Sequence, residues 1–286
     1  MLTTYDIRPK IKLIIESLFQ IYNKRGELVD FKFNNVQDLI NNQFISNPNE
    51  LRGNIVKARQ FGVSTLIMAW FLVECMSHYC RCVMLAHDKD HTEKLLRRAQ
   101  MMLKHLKGPQ PEITRMNENE IGFRKTDASF YIGTAGSKTF GRSDVITHLH
   151  CSAIAFWKDP ATLLGGLLPA VPHDSGIVVK ESTGNGWGTW HQRDFYNALT
   201  GSSRDLSIFL PFQIFPDYQS SIKDDSFTLT DEEVILINKY NLLPPQLQWR
   251  REKIEELQGD VITFQQEYPM TIEDAFRLTG GALLNP

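Results

Sequence analysis

The chain has 286 residues, 42% hydrophobic and 22% charged, with a formal net charge of −2 and four cysteines. That length supplies one large core, or one domain with a small appendage, and the composition is that of a soluble globular protein. No run of eighteen residues is free of charge, which argues against a membrane-spanning helix. Met1 to Asp6 lacks the basic and apolar regions of a secretory signal. Cys75, Cys80, Cys82 and Cys151 show no metal-ligand spacing, and Cys80 and Cys82 read as a pair of small buried residues on a strand edge. A reduced, cytoplasmic setting is therefore expected. Charge is uneven: residues 1–150 carry a balance of +6 and residues 151–286 one of −8. This permits a basic face toward nucleic acid without requiring one.

Taken in chain order, Arg8 to Asn23 spaces apolar residues helically, with Pro9 suited to a first turn. Asn23 to Glu27 is a turn, Leu28 to Phe33 alternates like a strand, and Asn34 or Asn35 can cap a helix over Val36 to Asn42. A short apolar run, Asn54-Ile55-Val56, then enters Lys57-Ala58-Arg59-Gln60-Phe61-Gly62-Val63-Ser64-Thr65. A strand, a glycine turn and a helix mouth bearing Ser-Thr make a phosphate-binding layout, because free helical amides point at an anion. Against the pattern G-x-x-x-x-G-K-[ST], Gly62 and Ser64 fit. Lys57 replaces the first glycine and Val63 the lysine, so the cation is expected at Lys57 or Arg59. The alternative is an ordinary strand-to-helix turn.

Val63 to Tyr79 is apolar on nearly every face, as for a core helix. Arg81 to Ala86 reads as a buried parallel strand that ends in His87-Asp88, and Lys89 to Leu106 as an amphipathic helix. Glu120–Lys125 and Ala128–Ala135 form a hairpin pattern. Val145 to His150 is a strand leading to Cys151-Ser152-Ala153-Ile154-Ala155-Phe156-Trp157, followed by a helix over Ala161 to Ala170. Gly176 to Lys180 is a strand that stops at Glu181-Ser182-Thr183-Gly184-Asn185-Gly186. Thr189–Leu199 is a helix and Leu206–Phe212 a strand. Beyond Pro216 helices dominate, with a capped start at Thr230 to Glu233 and a basic helix over Gln246 to Leu257. This alternation predicts right-handed crossovers and a mainly parallel sheet, with ligands at the strands' C-terminal ends.

Four stretches carry a family resemblance. The loop K-A-R-Q-F-G-V-S-T, the run T-H-L-H-C-S-x-I-A-F-W, the run K-E-S-T-G-N-G and the closing F-Q-Q-E-Y-P-x-T-x-E-D-A-F stand in the order and spacing of the ATPase motifs of large terminase subunits. These are the DNA-packaging motors of tailed bacteriophages. The likeness runs from about Arg8 to Phe276. It implies an α/β P-loop NTPase of the additional-strand, RecA-like kind, with a central mainly parallel sheet flanked by helices and a small C-terminal helical subdomain. The implied division is a lead-in over 1–35, an ATPase core over 36–215, and a lid or linker over 216–286 that leads toward a nuclease domain.

By that resemblance, Gln60 and the amides of Gly62, Val63, Ser64 and Thr65 wrap the phosphates of ATP. Ser64 and Ser152 hold Mg²⁺, and Lys57 or Arg59 neutralises phosphate charge. Gln37 matches the adenine-reading glutamine, the alternative being a solvent-facing helical residue. Ser182 and Thr183 match the coupling motif, the alternative being a cap of the next helix. Arg142 matches an arginine finger inserted into a neighbouring subunit's site, or else pairs with Asp144. The implied partners are double-stranded DNA, the portal protein and procapsid, the small terminase subunit and further copies in a ring, in the host cytoplasm. DNA-contact candidates are Lys94, Arg97, Arg98 and Lys104, or Arg250, Arg251 and Lys253, although a solvated helix face is the favoured reading of each.

One departure bears on activity. Ala153 occupies the place of the family's water-polarising glutamate, and along the sequence no nearby Asp or Glu replaces it. Alanine there is the substitution that traps nucleotide, whether in an engineered or a degenerate site. The expectation is a chain that binds ATP·Mg²⁺ but hydrolyses it slowly and, lacking an acidic nuclease cluster, does not cut DNA. Rival readings are a helicase-like or remodelling ATPase, a non-catalytic nucleotide-dependent DNA-binding module, and a plain α/β binding protein.

Overall fold

The protein is described from a computed structural model covering residues 4–46, 52–137, 145–222 and 227–278. Its centre is an eight-stranded sheet. The strands are β3 (Arg52–Lys57), β4 (Arg81–Ala86), β5 (Ile113–Met116), β6 (Glu120–Phe123), β7 (Ala128–Thr134), β8 (His148–Ser152), β9 (Ile177–Ser182) and β10 (Leu206–Leu210). They run in the order β10-β3-β9-β8-β4-β7-β6-β5. The six from β10 to β7 are parallel, and β6 and β5 close one edge antiparallel. A separate hairpin pairs β1 (Gln20–Tyr22) with β2 (Leu28–Asp30).

Both faces of the parallel part are buried, which is why its strands are continuously apolar rather than alternating. Period two still sorts the side chains. Ile55, Cys82, Met84, Ile177 and Val179 join the larger core cluster, while Val83, Leu85, Leu149, Cys151 and Val178 join a second cluster on the other face. The first face is covered by α4 (Val63–Ser77) and α5 (Lys89–Lys104), the second by α6 (Pro160–Leu167) and α7 (Trp190–Leu199). The result is a mixed α/β sandwich in which β9 and β8 separate the loop strand β3 from β4, the strand order of a RecA-like P-loop fold. α4 is buried at Val63 and without a break from Leu66 to Cys75, in keeping with its all-round apolar sequence.

The flanking segments join the same core. α1 (Thr4–Ile7) and α2 (Ile11–Leu18) contribute Ile7, Ile11 and Ile15, and α3 (Asn35–Ser46) contributes Val36, Ile40 and Phe44. From the C-terminal side, α8 (Asp231–Tyr240), α9 (Pro244–Glu256) and α10 (Val261–Glu267) add Leu236, Leu247, Trp249 and Phe264. α11 (Ile272–Ala275) packs Ala275, with Phe276 just beyond it, beside Val56 and Phe195. Two expectations change. The first helix stops at Leu18, because Phe19 turns extended and the chain pairs as β1. β5, polar and exposed, is an edge strand that its sequence does not announce. Among the described residues, no helix is long and apolar enough to cross a membrane.

On the α7 face, Lys180 pairs with both Asp194 and Asp205, and Arg52 donates to Asp205 at 2.9 Å. This buried network ties the starts of β3 and β10 to β9 and α7. Such groups are costly to bury unless mutually paired.

Candidate nucleotide site

The loop from Lys57 to Thr65 joins the C-terminal end of β3 to the first turn of α4. Gly62 has a φ of +73°, a conformation that favours glycine, and a Cβ there would lie 2.8 Å from Gln37 Nε2, so the Gln37 amide would have to shift. Gln60 is also left-handed, with φ 56°. α4 has no side-chain cap, which leaves the first amides of the helix available to an anion.

Glu181 stands at the centre of the arrangement. It is penultimate in β9, in register with Ile55 of β3 and Ser152 of β8, and only 2% exposed. Its Oε1 accepts the hydroxyls of Ser64 and Ser152, each at 2.7 Å, and these two hydroxyls lie 3.3 Å apart. Its Oε2 is 3.2 Å from Lys57 Nζ, and His150 Nε2 lies 3.6 Å from Oε1. Burial alone would raise the carboxyl's pKa, but the Lys57 ammonium, His150 and the Ser64 hydroxyl outweigh it. The group is held well below the ordinary carboxylate range. A carboxylate that the sequence around Ala153 does not show is thereby present beside Ser152. The sheet brings one from the next strand, 28 positions away in the chain, because β9 lies beside β8.

Ala153 itself holds φ 52° and ψ 44°, a left-handed conformation unfavourable to a residue with a Cβ. The turn it begins is fixed from both sides. Trp157 Nε1 donates to Ser152 O at 3.0 Å, Ala155 N to Ser182 Oγ at 3.3 Å, and Asn185 Nδ2 to Ala155 O at 3.0 Å. The segment after β9 is thus bonded to the turn after β8. Ser182 and Thr183 are both buried in it.

The remaining candidates divide. Gln37 is buried, not solvent-facing. Its Nε2 donates to Gly62 O at 2.9 Å and its Oε1 accepts from Asn34 N at 3.0 Å, so it braces the loop and an adenine would have to replace those bonds. Lys57 is turned inward to Glu181, whereas Arg59 pairs with Glu267 of α10, and its backbone is bonded by Glu267 and Tyr218. Arg142 lies outside the described residues. Among the DNA-contact candidates, Arg98 Nη1 donates to Thr65 Oγ1 at 3.0 Å, beside a cleft of ≈ 430 Å³ that Arg97 and Tyr22 also line. Lys94 pairs with Asp90, Arg250 with Glu232, Arg251 with Glu233 and Lys253 with Glu256. These charges largely serve the protein's own surface. Sequence reasoning missed Glu181, His150 and the contact of Arg98 with the loop, all of which depend on tertiary placement.

The oxygen-only donor set of Ser64, Ser152 and Glu181 suits a hard divalent cation such as Mg²⁺, not a soft one. No protein-family model matches the sequence, and no curated protein does. Solved structures do match. The HK97 bacteriophage large terminase superposes with a TM-score of 0.63 at 14% identity, over 91% of this chain and 54% of that chain. The large terminase ATPase domain of Thermus phage P74-26 gives 0.59 at 15%, over 83% of this chain and 93% of that one. The large terminase of the thermophilic bacteriophage D6E gives 0.50 at 10%, over 72% and 50%. The fold is that of a large terminase ATPase domain. This chain spans about half of the HK97 protein and nearly all of the P74-26 domain. In the terminase-like fold, the conjunction of Lys57, Ser64, Ser152 and Glu181 falls at the C-terminal ends of β3, β8 and β9, where an open parallel sheet binds its ligands.

Proposed function

We propose that this chain is the ATPase domain of a viral DNA-packaging motor that binds ATP·Mg²⁺ and is impaired in hydrolysing it. The observation that carries the reading is the hydrogen-bonded group of Ser64, Ser152 and Glu181 at the mouth of the loop, on a terminase-type fold. In this reading the amides of Gly62 to Thr65 hold the phosphates, and Lys57 supplies positive charge beneath them. Ser64, with Glu181 behind it, positions the cation. In a P-loop NTPase the cation is held by the loop hydroxyl and by a carboxylate from a neighbouring strand. Glu181 supplies that carboxylate from β9, Ser152 having none to give from β8. Bound Mg²⁺ would neutralise charge on the phosphates. Ser182 and Thr183 sense the terminal phosphate, Gln37 serves the adenine end, and Arg142 acts on a neighbouring copy's site.

Glu181 does not replace the water-polarising residue. Lys57 and the two serine hydroxyls hold it firmly ionised, and a carboxylate with so depressed a pKa is a poor proton acceptor. At Ala153 a methyl group can neither orient water nor take its proton. The assembled motor would act on double-stranded DNA with the portal, procapsid and small terminase subunit, as a ring of copies in the host cytoplasm. A second reading, a nucleotide-dependent DNA-binding module without turnover, is favoured by Ala153 alone.

The test is phosphate release by this chain beside its Ala153→Glu variant, with ATP binding followed by calorimetry. Both should bind ATP with Mg²⁺, and the variant should turn over about 10²–10⁴-fold faster, the usual range for a positioned general base. Equal turnover would refute the impairment, and absence of binding in both would refute the nucleotide site.

A further inference from the structure

At the far end of α4 from the loop lies a second cluster that the proposed function does not use. Its residues are spaced C-x4-C-x-C, which along the sequence suggests only small buried side chains. Folding changes that. Cys75 is in the last turn of α4, and the chain returns through His78 so that Cys80, just before β4, and Cys82, within it, stand two residues apart. Cys80 Sγ lies 3.6 Å from both Cys75 Sγ and Cys82 Sγ, and all three sulfurs lie within 4.8 Å of one another. In a tetrahedral zinc site with Zn–S bonds of about 2.3 Å, the sulfurs stand roughly 3.8 Å apart. Two of the three separations here are already of that size.

A candidate fourth donor stands on the neighbouring strand, outside the 4.8 Å group that the three sulfurs form. His148 of β8 is the register partner of Cys82 of β4, so the two side chains stand side by side on the same sheet face. All four residues are buried to 2% exposure or less. His148 Nδ1 is 2.8 Å from Thr147 Oγ1, while Nε2 has no hydrogen-bond partner. Its nearest carboxylate oxygen, on Glu74, is 3.8 Å away. A histidine fixed through one ring nitrogen with the other left bare is the usual state of a metal ligand. Weak thiol bonds from Cys75 to Ser129 O at 3.7 Å and from Cys82 to Phe71 O at 3.8 Å account for two sulfurs, whereas Nε2 makes no hydrogen bond and meets Glu74 only at ion-pair distance.

We propose that Cys75, Cys80 and Cys82 bind one thiophilic divalent cation, Zn²⁺, and that His148 Nε2 moves in from β8 as the fourth donor to close the structural site. Binding forms three Zn–S bonds and one Zn–N bond and releases three thiol protons to solvent, leaving a complex of net charge −1. The site pins the end of α4 to β4 and β8. It therefore supports the helix whose other end forms the nucleotide loop, without touching the phosphate chemistry.

The whole chain, purified under reducing conditions without chelators from zinc-supplemented cells, is assayed for metal by mass spectrometry and melted with and without a zinc chelator. About one Zn²⁺ per chain is expected for a closed four-donor site, with a lower Tm after chelation. Exchange into Co²⁺ should give thiolate-to-metal charge transfer in the near ultraviolet and intense tetrahedral d–d bands. Cys80→Ser and His148→Ala should lose metal, whereas Cys151→Ala, which changes a cysteine outside the cluster, should keep it. Should the cluster variants fail to fold, the stoichiometry and cobalt spectrum of the unaltered chain still decide. A chain free of metal whose Tm ignores both zinc and chelator overturns the proposal. So does a Cys75–Cys80 or Cys80–Cys82 disulfide in the reduced preparation, and a cobalt spectrum unchanged by His148→Ala overturns the four-donor assignment.

Discussion

The hydroxyl of Ser64 donates to Oε1 of Glu181 across 2.7 Å, a contact between residues 117 apart in sequence. It places a buried carboxylate directly behind the hydroxyl that closes the phosphate loop. Replacing that carboxylate by its amide keeps the shape and removes the charge. Glu181→Gln should weaken Mg²⁺-dependent ATP binding by about 10–100-fold, the usual cost of losing a group that orients a metal ligand. Calorimetry with and without Mg²⁺ checks this. The same variant leaves Lys57 buried without its counter-charge, so it should also lower Tm, and Lys57→Met in the same chain should return part of that loss. An ATP affinity that depends on Mg²⁺ as before would remove Glu181 from the site.

Gly184 follows the coupling segment and meets the C-terminal helix α11 backbone to backbone. A Cβ at Gly184 would lie 1.5 Å from Ala275 O and 2.3 Å from its carbonyl carbon. No side-chain rotation relieves such a clash, so Gly184→Ala must move one segment or the other. Forcing extra atoms into a packed interior costs about 1–3 kcal/mol. The loss should appear as a lower Tm and as faster hydrogen exchange over residues 272–278. His191 and Phe276, whose rings stand 5.8 Å apart, should separate with it. Unchanged exchange over that segment would show that α11 is not held by this contact.

The parts of this architecture visible in the sequence are those set by local pattern. Arg81 to Ala86 reads as a buried strand because its apolar run is short and bounded by a turn and by His87-Asp88, and β4 has those limits. Gly62 and Ser64 mark the loop because a left-handed turn and a helix mouth each demand a residue type. Glu181 was hidden for the opposite reason. Its importance comes from sheet order, which sets β9 between β3 and β8 and so puts residue 181 in register with residues 55 and 152. Nothing in the spacing of Lys-Glu-Ser-Thr encodes that neighbourhood. The same holds for His148 beside Cys82, and for Arg98, whose helix position suits a solvated face until the loop packs against it.

Acid stability offers a check away from the nucleotide site. Glu233 completes the capping box of α8: Thr230 N donates to its Oε2 at 2.9 Å and its own amide donates to Thr230 Oγ1 at 3.2 Å. Arg251 of α9 grips the same carboxylate through Nε at 2.6 Å and Nη2 at 2.5 Å. Chiefly through Arg251, the pKa of Glu233 is lowered from 4.5 to about 2. A carboxyl whose folded pKa lies below its unfolded one stabilises the fold fully above the unfolded value. That contribution is lost as pH falls toward the folded value. Glu233→Gln should therefore lower Tm relative to the unaltered chain at pH 7, and the gap should narrow between about pH 4.5 and about pH 2. General acid sensitivity would not test this, since Glu181 and Asp205 are depressed in the same direction. The difference between the two chains isolates Glu233, and a gap that stays constant across that window would mean its charge contributes nothing to holding α8 on α9.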